Sequence, residues 1–349
     1  MSLFTYLTPS LFFGISWVLM LFIGSTMIAR LKSIKGMKWS PREDTPDSHL
    51  AKAGTPSMGG IGLIGSALVG LVLAASVCEL LRLFKIAPFN TVFTRWFWVF
   101  LAFPVVVLLH AALGFADDWS KARGRGGLTS KQKLLGQIVL ALLFLIAVLT
   151  TSRSLGFQTG LESVGVFVLS TLIIIGTSNA VNLTDGIDGL AAGLSVQVAL
   201  SFLLIKQGIP GYDASTQLLW FCLGGACLGF LAFNKYPAKV FMGDTGSLAL
   251  GAALGAGAIL TKSVALLPFI GFIFYVEMFS VIFQVLYFKY TKKKFGEGKR
   301  IFRRAPLHHH FELGGWSEWR VVGTFWLVNL CTSILGLVLW KMRVLPRFP

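Results

Sequence analysis

The chain has 349 residues, of which 55% are hydrophobic and only 13% are charged, and its formal net charge is +16. A soluble domain carries about 25% charged residues. This composition therefore excludes a cytosolic enzyme, a disordered chain and a coiled coil, and it indicates a protein that crosses a membrane several times.

Ten apolar runs are long enough to cross a bilayer, which takes about 20 helical residues. They occupy 8–29, 57–81, 96–115, 134–152, 163–181, 190–206, 215–233, 245–261, 263–288 and 321–340. None shows the period-2 alternation of an outer-membrane barrel. We therefore predict an all-α fold in which a single transmembrane domain, residues 1–349, contains about ten transmembrane helices.

The distribution of basic residues predicts the orientation. Of the 31 Lys and Arg, 22 lie in connections that follow odd-numbered runs. Because positive loops stay in the cytoplasm, both termini are expected in the periplasm. The predicted cytoplasmic loops are 30–56, 116–133, 182–190, 234–245 and 289–320. The basic residues of 292–304 are explained by topology and by attraction to anionic headgroups. No nucleic-acid motif accompanies them, so no nucleic-acid partner is predicted.

Five carboxylates lie within a few residues of the predicted cytoplasmic ends of the runs. They are Asp117, Asp118, Asp185, Asp188 and Asp244. Ionisable groups at this depth are costly and indicate function. Carboxylates from three loops that meet at one face predict a site for a hard divalent cation such as Mg²⁺, which also prefers phosphate oxygens.

The first acidic cluster is the pair Asp117 and Asp118, followed by Lys121. Neighbouring side chains on a helix point about 100° apart, so the two carboxylates are expected to face different partners. Lys121 lies on the same helix face as the pair. A helix end stabilised by an Asp–Lys pair explains these residues equally well.

The second cluster is the segment NLTDGIDGL, in which Gly follows both Asp185 and Asp188. Glycine permits a tight turn or a close approach to a ligand. An Asp-Gly turn with Asp as a helix cap is the simpler interpretation. Two such pairs within four residues, after Asn182, favour a functional role.

The third cluster is FMGDTGS, which opens the eighth run. Asp244 is either the N-cap of that helix or a carboxylate that holds a cation beside backbone N–H groups suited to phosphate. Phe241 is either a packing residue or a ring that stacks on a base.

The fourth cluster is APLHHHFE. Its three consecutive histidines lack the i, i+4 spacing of helical zinc ligands. Hydrogen bonding to phosphate or sugar, or a structural role in the loop, is the favoured interpretation. The chain contains no Walker A motif and no strand-flanked GxGxxG motif.

Five segments occur in a recognisable order: GFADDWSK, GLTSKQKLLGQ, NLTDGIDGLA, FMGDTGSLALG and APLHHHFELGGWSE. Together they resemble the polyprenyl-phosphate N-acetylhexosamine-1-phosphate transferases. The HHHFE segment resembles the motif of the branch that transfers phospho-N-acetylmuramoyl-pentapeptide. Relatives that use UDP-N-acetylglucosamine carry a different His motif at that place. The resemblance covers nearly the whole chain, although REDTP stands in the first loop where Asp-Gly-Pro is usual.

This resemblance implies a Mg²⁺-dependent reaction of peptidoglycan biosynthesis. UDP-N-acetylmuramoyl-pentapeptide and undecaprenyl phosphate would give lipid I and UMP. It also implies a homodimer in the bacterial cytoplasmic (inner) membrane, with the active site facing the cytoplasm.

The resemblance also implies roles for individual residues. Asp244 would bind Mg²⁺, Asp117 would act as general base or position the lipid phosphate, and Asp118 would support the metal or the substrate. His309 would be a further catalytic residue. Asn234, Lys121 and Lys133 would contact phosphates. The uridine pocket would contain Lys52, Gly186, Ile187, Asp188 and Phe241, with Asp185 nearby. His308 and His310 would line the sugar–pyrophosphate region with His309, and Asn182 and Gln284 would also bind substrate.

Two other functions fit parts of the pattern. A transferase that moves N-acetylglucosamine-1-phosphate is the nearer one, and the HHHFE segment argues against it. A cation-coupled transporter would use intramembrane carboxylates, but those of this chain cluster at one face and not at the midplane. Both a direct displacement and a route through a phospho-aspartate fit the acidic residues.

Overall fold

The computed structural model describes residues 4–34, 36, 52–84, 92–154, 160–205 and 212–348. The regular elements within these ranges are helices, as the all-α prediction requires. They are α1 (Phe4–Ser33), α2 (Gly60–Leu83), α3 (Val92–Ala122), α4 (Ser130–Ser154), α5 (Val164–Thr184), α6 (Leu190–Leu203), α7 (Tyr212–Asn234), α8 (Gly243–Leu260), α9 (Leu267–Ile270), α10 (Phe272–Phe295), α11 (Leu307–Glu312) and α12 (Glu318–Lys341), with a 3₁₀ turn at Val264–Leu266.

Nine of the helices in the described ranges are long and apolar enough to cross a membrane. The sixth predicted run forms only α6, which has 14 residues. At 1.5 Å per residue this helix is about 21 Å long, which is less than the roughly 30 Å hydrocarbon core. Because α6 packs against α7 and α12, it buries its apolar residues against protein. It begins just after Asp188, and α7 ends at Asn234 beside the same cavity, so α6 leads away from one end of the bundle and α7 returns to it, as in the predicted order of passes.

The ninth predicted run begins later than expected. The chain is interrupted between Thr261 and Gly271 by the 3₁₀ turn and the four-residue α9, and the crossing helix α10 begins at Phe272. Lys262 has a positive φ of 53°, and Pro268 lacks the N–H that a continuous helix would use. These residues end one helix before the next begins.

Helix α8 occupies the centre of the bundle, and 89% of its residues are buried. It is rich in Gly and Ala, and it packs between α3 and α5. Gly114 of α3 lies so close that a Cβ there would collide with the backbone carbonyl oxygen of Asp244. This approach places the N-terminus of α8 directly against the last turns of α3.

Two predicted loops are partly helical. Helix α3 continues to Ala122, so Asp117 and Asp118 lie in its last turns, and the loop predicted at 116–133 shortens to the residues before Ser130. The loop predicted at 289–320 contains the end of α10 and the whole of α11. Much of the first predicted loop, residues 35 and 37–51, lies outside the described residues.

Candidate active site

A cavity of about 350 Å³ opens at the end of the bundle where α3, α5 and α7 terminate and α8 begins. Its walls contain most of the residues that the sequence singled out. The lining residues are Lys52, Ser57, Asp118, Lys121, Asn182, Asp185, Gly186, Ile187, Asp188, Asn234, Phe241, Gly243 and Asp244. The acidic segments that were expected to converge therefore meet around one space, and Ser57 and Gly243 join them.

Two aspartates share two lysines at the edge of this cavity. The buried carboxylate of Asp117 lies 2.6 Å from the Lys121 ammonium and 3.0 Å from that of Lys133. Asp244 lies 3.1 Å from Lys121 and 2.5 Å from Lys133. The predicted Asp117–Lys121 pair is thus present, and it extends into a four-residue network that joins α3, α4 and α8.

Asp118 caps the N-terminus of α8 from a neighbouring helix. Its carboxylate accepts hydrogen bonds from the backbone N–H groups of Asp244 and Thr245, at 3.2 and 2.9 Å, and from the Thr245 hydroxyl at 2.8 Å. No side chain within α8 makes this cap. These N–H groups have no partner in their own helix. By accepting their hydrogen bonds, Asp118 determines the position of Asp244.

Asn182 and Asp185 end α5 beside Asp244. The Asn182 amide donates to Asp244 Oδ1 and to the Ser247 hydroxyl, both at 2.8 Å. Burial, followed by the negative charges of Asp244 and Asp118, raises the pKa of the Asp185 carboxyl well above its usual range. The end of α5 therefore supplies a neutral hydrogen-bonding group and a carboxyl that tends to keep its proton.

The opposite wall of the cavity is built around Asp188. Its carboxylate lies 2.7 Å from the Lys52 ammonium and accepts a 2.8 Å hydrogen bond from the Ala238 N–H. Lys52 also lies 2.6 Å from Glu318, which in turn accepts from the Asp188 N–H at 2.6 Å. The network joins the segment before α2, the turn after α5 and the start of α12.

Asn234 and Phe241 occupy the same wall. Asn234 accepts from the Gly189 N–H at 3.2 Å and donates to the Val240 carbonyl at 3.0 Å, so both ends of its amide are used within the protein. The backbone of Phe241 is held by Pro56 and Gly59, at 2.8 Å each. Phe241 lines the cavity on this fixed backbone.

The three histidines do not line this cavity. His308 is fully buried behind it. Its backbone N–H donates to Glu277 Oε1 at 3.0 Å, and its ring Nδ1 lies 3.1 Å from Glu277 Oε2. The ring Nε2 has no hydrogen-bond partner among the described residues, and it lies where a Cβ on Gly186 would be. The ring therefore supports the Gly186 turn from outside.

His309 and His310 have separate partners. The His309 Nδ1 lies 2.9 Å from Glu312. Burial lowers the pKa of the His309 imidazole below its usual value, and the positive charge of Arg304 acts in the same direction, although Glu312 opposes them. His310 accepts from the Arg303 N–H at 3.1 Å.

Gln284 lies outside the cavity. Its side-chain carbonyl accepts from the N–H groups of Ile301 and Phe302, at 2.9 and 3.0 Å, and its amide donates to the Phe302 carbonyl at 3.2 Å. It thereby holds the segment after α10 against that helix.

Two carboxylates were missed as site residues. Glu277 and Glu318 each hold a residue that borders the cavity, His308 and Lys52 respectively. The sequence carried a signal for Glu277, because it is the one acid within the apolar run 263–288, and an acid inside a membrane span indicates function.

The acidic cluster fits a divalent cation. One carboxylate oxygen from each of Asp117, Asp118 and Asp244 lies within 4.8 Å of the others. Mg²⁺ prefers such oxygen ligands, together with phosphate oxygens and water. Asp244 is the member best placed to reach a ligand, because Asp117 is fully buried and the oxygens of Asp118 are used by α8.

Comparison with known proteins decides the family. Residues 98–262 match the family described as Glycosyl transferase family 4. The phospho-N-acetylmuramoyl-pentapeptide-transferase of Shouchella clausii is 44% identical over 85% of this chain and 87% of its own length. Those of Desulforamulus reducens and Syntrophus aciditrophicus are 42% and 38% identical, over 93% and 98% of this chain and 93% and 96% of their own lengths.

This chain belongs to the phospho-N-acetylmuramoyl-pentapeptide-transferase family. Asp117 and the four aspartates that line the cavity lie inside the range matched to Glycosyl transferase family 4, whereas Lys52, Glu277 and the three consecutive histidines lie outside it. The relative from Syntrophus aciditrophicus covers both parts, because its alignment extends over 98% of this chain.

Proposed function

We propose that this protein transfers phospho-N-acetylmuramoyl-pentapeptide from its UDP derivative to undecaprenyl phosphate, with lipid I and UMP as products, in peptidoglycan biosynthesis. The observation that carries the proposal is that a chain of this family places four aspartates and two lysines in the wall of one cavity at the end of a membrane bundle. Asp117 and Lys133 contact this wall through Lys121 and Asp244. One substrate is dissolved in the cytoplasm and the other in the bilayer, and a cavity at the membrane surface is accessible to both.

Charge is the main obstacle to this reaction, because both substrates carry phosphate. Lys121 and Lys133 each contact two aspartates, so their ammonium groups are held in place before substrate arrives. Preorganised charge of this kind stabilises a phosphoryl-transfer transition state without reorganisation at the moment of reaction.

Mg²⁺ is the proposed cofactor, with Asp244 as its principal protein ligand and Asp117 and Asp118 beside it. When bound, the ion would offset the charge of the diphosphate. Asp118 positions Asp244 through the N-terminus of α8, and Asn182 orients the same carboxylate. The protein thus positions the Asp244 carboxylate from two sides.

We infer a single displacement. An oxygen of undecaprenyl phosphate attacks the phosphorus attached to the sugar, and the bond from that phosphorus to the bridging oxygen breaks, so that UMP leaves with the electron pair. Asp117 acts here by positioning Lys121 and Lys133 for the acceptor phosphate, because its carboxylate contacts both. A carboxylate intermediate would add a second step between crowded anions.

The nucleotide is assigned to the wall that contains Lys52, Gly186, Ile187, Asp188 and Phe241. The Phe241 ring offers an apolar face for uracil, and the turn from Gly186 to Asp188 offers backbone groups. The Lys52–Asp188–Glu318 network holds this wall rigid. His308 supports the turn through Gly186, and His309 and His310 are assigned to the sugar–pyrophosphate side.

The cavity faces the cytoplasm in this proposal, and both termini lie in the periplasm. The support is the positive-inside bias of the basic residues, which follow the helix ends that surround the cavity. The bacterial inner membrane is the assigned location. A homodimer is proposed from the family resemblance, and mass measurement of the detergent-solubilised protein tests it.

The direct test is turnover of UDP-N-acetylmuramoyl-pentapeptide with undecaprenyl phosphate, with and without Mg²⁺. The expected products are UMP and a lipid-linked phospho-sugar, in equal amounts and only with the ion. UDP-N-acetylglucosamine is the matched control donor. Faster turnover of that donor would replace this proposal with the N-acetylglucosamine-1-phosphate transferase.

A further inference from the structure

A second cavity, of about 540 Å³, lies beside the last turns of α10 and shares no lining residue with the first. Its lining residues are Gln284, Val285, Phe288, Lys289, Arg300, Arg303, Arg304, Ala305 and Leu313. Four of these nine residues are basic and none of the nine is acidic. The cavity therefore combines a concentrated positive charge with an apolar wall formed by Val285, Phe288 and Leu313.

The cavity is built by a defined fold-back of the chain. After α10 the backbone returns along the helix, and Gln284 binds both N–H groups of Ile301 and Phe302. Further along, the Thr291 hydroxyl accepts from the Lys299 N–H at 2.8 Å. On the far side, the Arg303 guanidinium donates to the Leu313 carbonyl at 2.7 Å. These contacts hold the basic segment against the helix, so the positive charges form a shaped site.

The position of the cavity along α10 indicates the depth at which its ligand lies. The helix exposes large apolar side chains at Phe279, Phe283 and Leu286. Three consecutive lysines, 292–294, follow in its last turn. An exposed apolar face of this kind lies at the depth of the acyl chains, and the change to lysine marks the headgroup level. Lys289 and Arg300 lie at this change.

We propose that this cavity binds the phosphate headgroup of an anionic membrane phospholipid. The basic side chains face the phosphate, and Val285 and Phe288 contact the glycerol and the first carbons of the acyl chains. Basic pockets between helix ends on the cytoplasmic side suit such headgroups. A small soluble anion would use the charge but not the apolar wall.

The test measures lipid binding to the full-length protein in neutral-lipid nanodiscs. Labelled phosphatidylglycerol is titrated against wild type, the double variant Lys289→Gln/Arg300→Gln, and the control Lys292→Gln/Lys293→Gln. All four side chains are exposed, and both variants remove two positive charges, but only the first pair lines the cavity. We expect the cavity variant to lose roughly tenfold or more in affinity and the control to stay within about twofold.

Each other outcome overturns the proposal. Equal losses in the two variants would show general attraction to a basic surface. Equal binding of labelled phosphatidylcholine would exclude recognition of a net negative headgroup. Displacement of the lipid by millimolar inorganic phosphate would show a simple anion site. Displacement by undecaprenyl phosphate at much lower concentration than by unlabelled phosphatidylglycerol would assign the cavity to the acceptor substrate.

Discussion

Glu277 and His308 form a fully buried pair in which one carboxylate holds both the backbone N–H and the ring Nδ1 of the histidine. The pair links α10 to α11. Because the opposite edge of the imidazole faces Gly186, the contact also fixes the turn that forms one wall of the first cavity.

Glu277→Gln tests this link. The amide would offer an N–H group toward the ring Nδ1, so the ring must change tautomer or turn. We expect the KM for the UDP substrate to rise by about fivefold or more, since each 1.4 kcal/mol is tenfold and a buried hydrogen bond contributes about 1–3 kcal/mol.

Glu297→Gln is the control for that experiment, because Glu297 is an exposed acid just beyond the end of the same helix. It should leave KM unchanged. If Glu277→Gln changes neither KM nor the thermal midpoint, the pair does not position the cavity wall.

Asp244→Ala should abolish transfer while the protein remains folded in detergent. Asp244 contacts Lys121, Lys133 and Asn182, and no other carboxylate of the cluster is as exposed to the cavity. Calorimetric titration with Mg²⁺ is the second readout, and its affinity should fall at least tenfold. Near-normal activity of the variant at ordinary Mg²⁺ concentrations would contradict this assignment and indicate Asp118 as the main ligand of the ion.

Phe241→Ala should weaken binding of the UDP substrate by roughly tenfold or more, because stacking of a base on an aromatic ring contributes about 1–3 kcal/mol. The backbone hydrogen bonds of Phe241 to Pro56 and Gly59 do not involve its ring, so the loop should keep its place. Equilibrium binding of UDP and of undecaprenyl phosphate separates the effects. A defect confined to the lipid would contradict the assignment to uridine.

Asp185→Asn should stabilise the protein at neutral pH. The pKa of Asp185 is raised in the folded protein, so the folded state keeps a proton that the unfolded chain releases above about pH 4. The contribution of Asp185 to the free energy of unfolding therefore falls as the pH rises above about 4. The variant lacks this penalty. Its thermal midpoint in EDTA should exceed that of wild type at pH 7 by about 3 °C or more, and the difference should shrink toward pH 4.5.

Asp188→Asn should change the thermal midpoint in the opposite direction, and it serves as the comparison. Asp188 is paired with Lys52, so removal of its charge should lower the midpoint at pH 7. If both variants lower it equally, Asp185 is ionised in the folded protein and its assigned pKa is wrong.

The helices and the acidic clusters were predictable because each depends on residues close together in the chain. An apolar run of about 20 residues predicts a crossing, and an acid beside such a run is unusual enough to indicate a site. The contacts that position the site were not predictable. Asp118 caps a helix that begins 125 residues later, and Glu277 meets a histidine 31 residues away.

The length of α6 also could not be predicted from the sequence. The apolar run 190–206 has the hydropathy of a crossing helix, but the helix that it forms begins after Gly189 and ends at Leu203. Hydropathy reports burial, and it does not distinguish burial in lipid from burial against α7 and α12. The roles given to Asn234 and Gln284 rested on resemblance. The structure adds that the amides of both residues bind the protein backbone.

The central claim is direct transfer of the phospho-sugar to a lipid phosphate at the Asp117–Asp244 network. The measurement that tests it most directly is release of UMP from radiolabelled UDP-N-acetylmuramoyl-pentapeptide with and without undecaprenyl phosphate, by wild type and by Asp117→Asn. Wild type should release UMP only with the lipid, and the variant should lose kcat by about 100-fold or more with little change in KM for the UDP substrate. Lipid-independent UMP release that leaves labelled phospho-sugar on the protein, at a rate matching turnover, would contradict the account.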